Sequence, residues 1–171
     1  TSADGWLMRL DDSGNAAWKK YFGGASYDIL RTVRKHPAGV VVGGYSYVAG
    51  SGYQGWAMLI SADGKQSWSQ LQGGPSTDRF EDMVVLADGS VVAVGQTYVA
   101  GKSNEGWFVH LSAAGKINQN NAVGESRSDG FYAAAATSDG HVIAAGYSQP
   151  LAGPMRGWMV KADAQLSTNC K

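Results

Sequence analysis

A Gly-Trp pair that recurs at a nearly constant interval constrains the fold of this chain more than any other feature. The pair occurs four times, with successive tryptophans 50 or 51 residues apart, at Trp6, Trp56, Trp107 and Trp158. A period of this length indicates an array of one supersecondary unit that stacks on its own copies. Residues 1–171 therefore read as a single repeat domain, with repeats at 5–54, 55–105 and 106–156 and a partial fourth copy at 157–166.

Each unit contains four short segments of alternating apolar and polar residues, separated by turn-forming residues. In the second unit these segments span 56–60, 66–72, 80–86 and 91–96. Asp88-Gly89 and Asp139-Gly140 are strong signals for a hairpin between two apolar runs. The pattern predicts an all-β sandwich, closed sheet or propeller without a helix of useful length. The fourth segment is the most continuously apolar, so we expect it to pack on both faces, as an inner strand does.

Four strands per unit predict β-propeller blades, and a β-trefoil, which also has three four-stranded repeats, is the alternative. Three blades do not close a ring, so either a second copy or further repeats would complete it. The partner expected is thus a second copy, in a homodimer, or the remainder of a longer propeller. Residues 1–5 resemble residues 60–64, inside the second unit, so the chain opens in mid-repeat, which favours a piece cut from a longer array.

The composition restricts the classes of partner. The chain carries 14 basic and 14 acidic residues, with no net charge, and only 16% of its residues are charged. This balance disfavours an electrostatic nucleic-acid binder, which needs a basic face. The lone cysteine, Cys170, excludes an intrachain disulfide and a cysteine zinc site. No apolar run is long enough for a membrane helix. Low charge and many aromatic residues suggest a bacterial setting outside the cytoplasm.

A turn glycine followed four residues later by tryptophan occurs in two units, as Gly14 with Trp18 and Gly64 with Trp68. This spacing resembles the tryptophan-docking motif of quinoprotein-like propeller blades, and the resemblance implies that Trp18 and Trp68 wedge between adjacent blades. The third unit departs from it, because Gln119 takes the tryptophan position. The whole unit also resembles repeats of bacterial surface lipoproteins. A fragment of a quinoprotein-like enzyme is therefore a further alternative.

Most repeated residues are expected to be structural. The four Gly-Trp tryptophans would pack between units. One aspartate occupies the same slot in every unit, at Asp28, Asp78 and Asp129. We expect these carboxylates to accept hydrogen bonds from turn amides, although a ring of them could in principle bind a cation. The three histidines fall in different slots. We expect no catalytic residue, bound metal or cofactor.

The candidate binding residues lie in the loops between the fourth segment and the next Gly-Trp pair, at 47–54, 98–105 and 149–156. The loops begin alike and differ at their tips, as expected for recognition loops on a rigid scaffold. The residues singled out are Ser51, Tyr53, Lys102, Asn104, Met155 and Arg156. The function predicted is a non-enzymatic module that presents these loops to a protein or carbohydrate. A trefoil-type lectin is the alternative.

Overall fold

A computed structural model describes residues 3–124, 127–163 and 165–168, and these residues form β-strands and no helix. Cys170 lies outside the described residues. The strands in chain order are β1 (Gly5–Leu10), β2 (Ala16–Phe22), β3 (Asp28–His36), β4 (Gly39–Val48), β5 (Gly52–Ile60), β6 (Gln66–Gln72), β7 (Arg79–Val85), β8 (Val91–Val99), β9 (Ser103–Leu111), β10 (Ile117–Val123), β11 (Ser128–Ala136), β12 (Val142–Gln149) and β13 (Arg156–Ala162).

The strands form antiparallel meanders in which sequence neighbours pair. We name them sheet I (β1–β2), sheet II (β3–β6), sheet III (β7–β10) and sheet IV (β11–β13). Sheets III and IV are also joined by one parallel residue pair, Ser128 with Asn104. Among the described residues no sheet closes on itself, and the all-β prediction is confirmed. Sheets II, III and IV each begin with the third segment of one sequence unit and continue into the next unit, so sheets and Gly-Trp repeats are out of phase.

The sheets stack face to face, with one apolar core at each junction. Strand β7 contacts β3 and β4 of sheet II on one side and β11 of sheet IV on the other. Val42 belongs to the core between sheets I and II, and its neighbour Val41 belongs to the core between sheets II and III. Burial on both faces explains the continuous apolar run of the fourth segment. That segment forms the second strand of each sheet, while the first strands, β3, β7 and β11, meet where the sheets converge.

The Gly-Trp pair is explained by the stacking of the sheets. The Trp107 ring stacks on the Phe80 ring of its own sheet at a centroid distance of 4.7 Å. A Cβ added at Gly55 of the preceding sheet would lie 2.7 Å from Trp107 and 2.9 Å from Phe80. Gly106 stands in the same relation to Phe131. The glycine of one sheet therefore makes room for the aromatic stack of the following sheet.

A second tryptophan links sheet I to a turn of sheet II, and another links sheet II to a turn of sheet III. Trp18 Nε1 donates to the carbonyl of Ala62 at 2.9 Å, and its ring lies against Gly64. Trp68 Nε1 donates to Ala113 O at 3.1 Å in the equivalent place, where its ring lies against Gly115. The indole closes each junction on the outer side of the stack.

The junction between sheets III and IV lacks this contact. Gln119 stands at the tryptophan slot, and its buried Oε1 has no hydrogen-bond partner among the described residues. Leu166 stands at the slot of Gly64 and Gly115, with a φ of 56° and a fully buried side chain. A Cβ at Gly115 would already come within 2.5 Å of Trp68. The loss of the glycine and the loss of the tryptophan are thus complementary changes.

Asp82 of β7 holds the first strands together. Its Oδ1 accepts hydrogen bonds from Thr32 Oγ1 at 2.8 Å and Arg34 Nη2 at 2.5 Å, both in sheet II. Its Oδ2 accepts one from the Ala134 amide of sheet IV at 3.0 Å. A buried carboxylate bound from both sides fixes the spacing of three sheets, and with it the surface at their ends.

Candidate functional site

One end of the stacked sheets carries the tyrosines of the chain. This end contains the turns 49–51, 100–102 and 150–155. Seven of the eight tyrosines fall within three residues of this end of a strand, and the eighth, Tyr132, lies 5.4 Å from the Tyr147 ring. We call this surface the tyrosine rim, formed by Tyr21, Tyr27, Tyr45, Tyr47, Tyr53, Tyr98, Tyr132 and Tyr147. Five of them are exposed, namely Tyr21, Tyr27, Tyr47, Tyr98 and Tyr132.

The opposite end of the sheets has a different chemistry. Its turns, such as 11–15, 61–65 and 137–141, contain no tyrosine and hold aspartates and lysines. Asp63 and Lys65 form an exposed ion pair there at 2.8 Å, which lowers the pKa of Asp63 to about 2. Surfaces rich in tyrosine are typical of recognition, whereas solvated ion pairs are not. The rim is therefore the candidate functional site.

A cluster of tyrosines around Arg79 lies at the junction of sheets II and III. The Tyr53 ring packs edge-on against Tyr45 at 5.3 Å and against Tyr47 at 5.4 Å. The Arg79 guanidinium lies 5.0 Å from the Tyr45 centroid and 5.6 Å from that of Tyr53. Its buried Nε has no hydrogen-bond partner within the described ranges. The aromatic faces hold this cation in a fixed position.

The junction of sheets III and IV has other residues in the same slots. Gly130 replaces Arg79, and the Tyr147 ring fills the space above it. The Tyr147 hydroxyl donates to Gln96 Oε1 at 3.1 Å. The pKa of the neighbouring Tyr132 is raised, mainly by burial and also by Tyr147 and Glu81. The two junctions therefore present different chemistry on one backbone frame.

A cleft of about 450 Å³ opens beside the rim between β2 and β6. Tyr21, Phe22, Trp56, Ser69 and Leu71 are among its lining residues. Trp56 Nε1 donates a hydrogen bond to Ser69 Oγ at 2.9 Å, and this bond holds the indole within sheet II. The cleft therefore adjoins the rim where β2 and β6 end.

The six residues predicted from loop tips are spread along the rim. Ser51 and Lys102 lie in tight turns, where their amides donate to Val48 O and Val99 O at 3.0 Å. Tyr53 and Asn104 lie in β5 and β9, because the strands continue through most of the predicted loops. Met155 is exposed just before β13, and Arg156 is the first residue of that strand.

Of these six residues, only Tyr53 belongs to the Arg79 cluster. The loop comparison missed Tyr45, Tyr47 and Arg79. Mapping all tyrosines onto the ends of the predicted strands would have revealed the rim.

The repeated aspartates fasten the turns at the rim. Asp78 Oδ2 accepts from the Gly74 amide at 2.7 Å, and its Oδ1 accepts from Thr97 Oγ1 at 2.5 Å and from the Tyr98 amide at 3.0 Å. Asp28 Oδ2 accepts from the Gly24 amide at 2.7 Å. Beside Asp78, Gln54 Nε2 donates to the carbonyl of Gly74 at 2.8 Å. An amide and a carboxylate together close the turn between sheets II and III.

Two carboxyl groups occupy the equivalent place between sheets III and IV. Glu105 stands at the slot of Gln54, and a Cβ added at Gly124 would touch both the Glu105 and the Asp129 carboxylates. Glu105 is buried, and its Oε2 has no hydrogen-bond partner within the described part of the chain. Its pKa is raised chiefly by burial and further by Asp129, against an opposing effect of Lys102.

The comparisons with known proteins assign this chain to no group. No protein-family model matches it, and no curated protein emerges as a relative. In the described residues, no group of three or more histidine, cysteine or acidic side chains is placed to hold a metal ion. No helix within the same residues has the length and apolar character needed to cross a membrane.

Proposed function

We propose that this chain is a non-enzymatic binding module built from β-propeller blades, and that the tyrosine rim is its recognition surface for a protein partner. The observation that carries the proposal is the segregation of the tyrosines to one end of the sheets. Tyrosine offers a large, amphipathic contact area at low conformational-entropy cost, and it is enriched with arginine in protein interfaces.

The blade architecture rests on the stacking of four-stranded meanders. Trp18 and Trp68 each donate to a turn carbonyl of the next sheet, which supports the resemblance to tryptophan-docking blades. Open, stacked sheets also favour blades over the β-trefoil alternative. On this basis the rim corresponds to one face of a partial or shared ring. The low charge and many aromatic residues of the chain support a bacterial setting outside the cytoplasm.

A protein partner suits the rim better than a small ligand. Small-molecule sites are deep and enclosed, whereas the exposed tyrosines Tyr47, Tyr98 and Tyr132 spread over the ends of three sheets. The fixed Arg79 would offer a cation to acidic or carbonyl groups of the partner. The alternative partner is a carbohydrate, which would stack on the tyrosine rings. The experiments below distinguish the two kinds of partner.

Photo-crosslinking from defined positions tests the proposal. A benzoylphenylalanine residue replaces Tyr47 or Tyr98 on the rim, and Lys65 at the opposite end as control, before incubation with a bacterial periplasmic extract. The proposal predicts one protein adduct of the same mass from both rim positions and none from the control. Adducts equally frequent from Lys65 would refute it.

A glycan array tests whether the rim binds a carbohydrate instead of a protein. Wild type and the Tyr47→Ala, Tyr98→Ala double variant are applied to the same array. If the wild type binds a glycan and the double variant does not, the rim recognises a carbohydrate and not a protein. Both substitutions remove exposed rings, so the melting temperature should change by less than about 2 °C.

A further inference from the structure

The two outer sheets of the stack each leave a face uncovered. In the interior sheets, the side of the Gly-Trp strand that faces the preceding sheet is buried, with Trp56, Met58 and Ile60 exposed by 7%, 0% and 0%. The same positions of β1 form what we call the Trp6 face: Trp6, Met8 and Leu10, exposed by 52%, 39% and 50%. These side chains are apolar like their counterparts in the interior sheets, but no preceding sheet covers them among the described residues.

The other end of the stack shows the complementary defect. Gly55 and Gly106 receive aromatic rings from the following sheet, but a Cβ added at Gly157 would meet no atom within 4 Å. Met159, two residues further on the same side of β13, is 69% exposed, whereas its counterpart Phe108 is fully buried. We call Gly157 and Met159 the Gly157 face. It has the glycine that the stacking rule requires and lacks the ring that fills it.

We propose that a second copy of this chain covers these faces head to tail, with Trp6 of one copy seated on Gly157 of the other. The contact extends a pairing seen within the chain at Gly55, where Trp107 of the following sheet lies nearest to an added Cβ. At Gly5 and Gly106 the nearest side chains of the following sheet are instead Leu30 and Phe131, which belong to a first strand that sheet I lacks. Both faces are apolar, so their burial is favourable without charge pairing. This inference concerns the ends of the stack and is independent of the rim as a binding surface.

The geometry makes the interface heterologous, because two different faces meet. Such a contact closes as a dimer or ring when the rotation permits it, and otherwise propagates. A dimer uses both faces of both copies and leaves neither Trp6 nor Gly157 exposed. A propagating chain would use the same pair of faces at every junction, so the same substitutions disrupt either assembly.

Light scattering on a size-exclusion column, over a series of protein concentrations, measures the association. Wild type is expected to run with the mass of two copies, or of larger assemblies that grow with concentration. Gly157→Gln fills the space that Trp6 would occupy, and Trp6→Ser removes the ring. Each variant is expected to run as a single copy that remains folded, because an added Cβ at Gly157 meets no atom within 4 Å and Trp6 is 52% exposed.

Gly74→Gln is the matched control. Gly74 also has open space around an added Cβ, and it lies in the turn between sheets II and III, outside β1 and β13. This variant should associate like wild type. A wild type that stays monomeric at every concentration would overturn the inference and leave the two faces to another chain. Association that survives in Gly157→Gln would overturn it equally.

Discussion

Replacement of Glu105 by glutamine should stabilise this protein at neutral pH. The equivalent residue of the preceding sheet is Gln54, so the same site can be compared with a glutamine and with a glutamate within one chain. The amide nitrogen of Gln54 donates to the carbonyls of Ser51, Tyr53 and Gly74 at 3.1, 3.1 and 2.8 Å. An ionised carboxylate can donate no hydrogen bond, so Glu105 leaves the equivalent contacts unmade.

The magnitude follows from two costs that the substitution removes. Glu105 is buried with an unpartnered Oε2, and it lies beside the Asp129 carboxylate. A buried polar group without a partner costs about 1–3 kcal/mol, and charge increases the cost. We therefore expect Glu105→Gln to raise the free energy of unfolding by about 1–3 kcal/mol at pH 7. For a chain of this size that corresponds to roughly 2–12 °C in melting temperature.

The pH dependence of stability tests whether Glu105 destabilises the folded protein when it is ionised. Because the pKa of Glu105 is raised in the folded state, the folded protein binds more protons than the unfolded chain between the ordinary value of 4.5 and the raised pKa. Wild type should lose stability as the pH rises through this window and keep that deficit above it. Glu105→Gln has no such group, so its advantage should grow between pH 4 and pH 7.

Thermal unfolding followed by circular dichroism at pH 4, 5, 6 and 7 measures both effects. The reciprocal substitution, Gln54→Glu, should destabilise the protein by about the same amount, because it places a second carboxylate beside Asp78. An advantage of Glu105→Gln that is absent at pH 7, or equal at pH 4 and pH 7, would refute the reasoning.

Two further substitutions test local features of the sheets. Trp68→Phe removes the donor to Ala113 O and should lower the free energy of unfolding by about 1–2 kcal/mol in urea denaturation; an unchanged midpoint would show that the docked indole does not stabilise the junction. Ser103 has a φ of 120°, in a region that favours glycine, so Ser103→Gly should raise stability by about 1 kcal/mol. Gly52→Ser in the sister turn should lower it, because an added Cβ would clash with the carbonyl of Ser76, and a loss in both variants would contradict the strain at Ser103.

The period predicts the strands well because alternation and turn residues are local signals. It cannot predict where a sheet begins, since four segments in a cyclic repeat read the same from any starting point. In sheets II, III and IV the Gly-Trp pair marks the third strand, and these sheets start instead at Asp28, Arg79 and Ser128, within one residue of the repeated aspartates. Strand pairing across the unit boundary decides this phase, and such long-range contacts leave no local pattern in the sequence.

The rim was only partly predictable for a related reason. Differences between loop tips identify Tyr53, which does lie in the Arg79 cluster. The other members, Tyr45 and Tyr47, lie in a strand on the near side of the turn. Their approach to Arg79 depends on how two sheets stack, and the sequence of one unit contains no information about the neighbour that it meets.

Some positions at the sheet junctions carry out the same packing at each junction, and others differ in chemistry from one junction to the next. This difference can be tested by substitution. The core slots repeat because every junction must solve the same packing problem, as Gly55 and Gly106 do for Trp107 and Phe131. The rim slot of Arg79 differs at each junction, so packing does not dictate it. Gly55→Ala should therefore cost about 1–3 kcal/mol in urea denaturation, since a methyl group there would lie 2.7 Å from an indole.

Arg79→Ala should by contrast change stability by less than about 1 kcal/mol, because the lost contact with Tyr45 and Tyr53 is offset by removal of a buried, unpartnered Nε. The same variant should weaken the rim adduct captured from position 47. A large loss of stability in Arg79→Ala would mean that the cation is part of the packing. In that case the difference between the junctions would reflect local folding requirements, and the argument that the rim is free to specialise for a partner would fail.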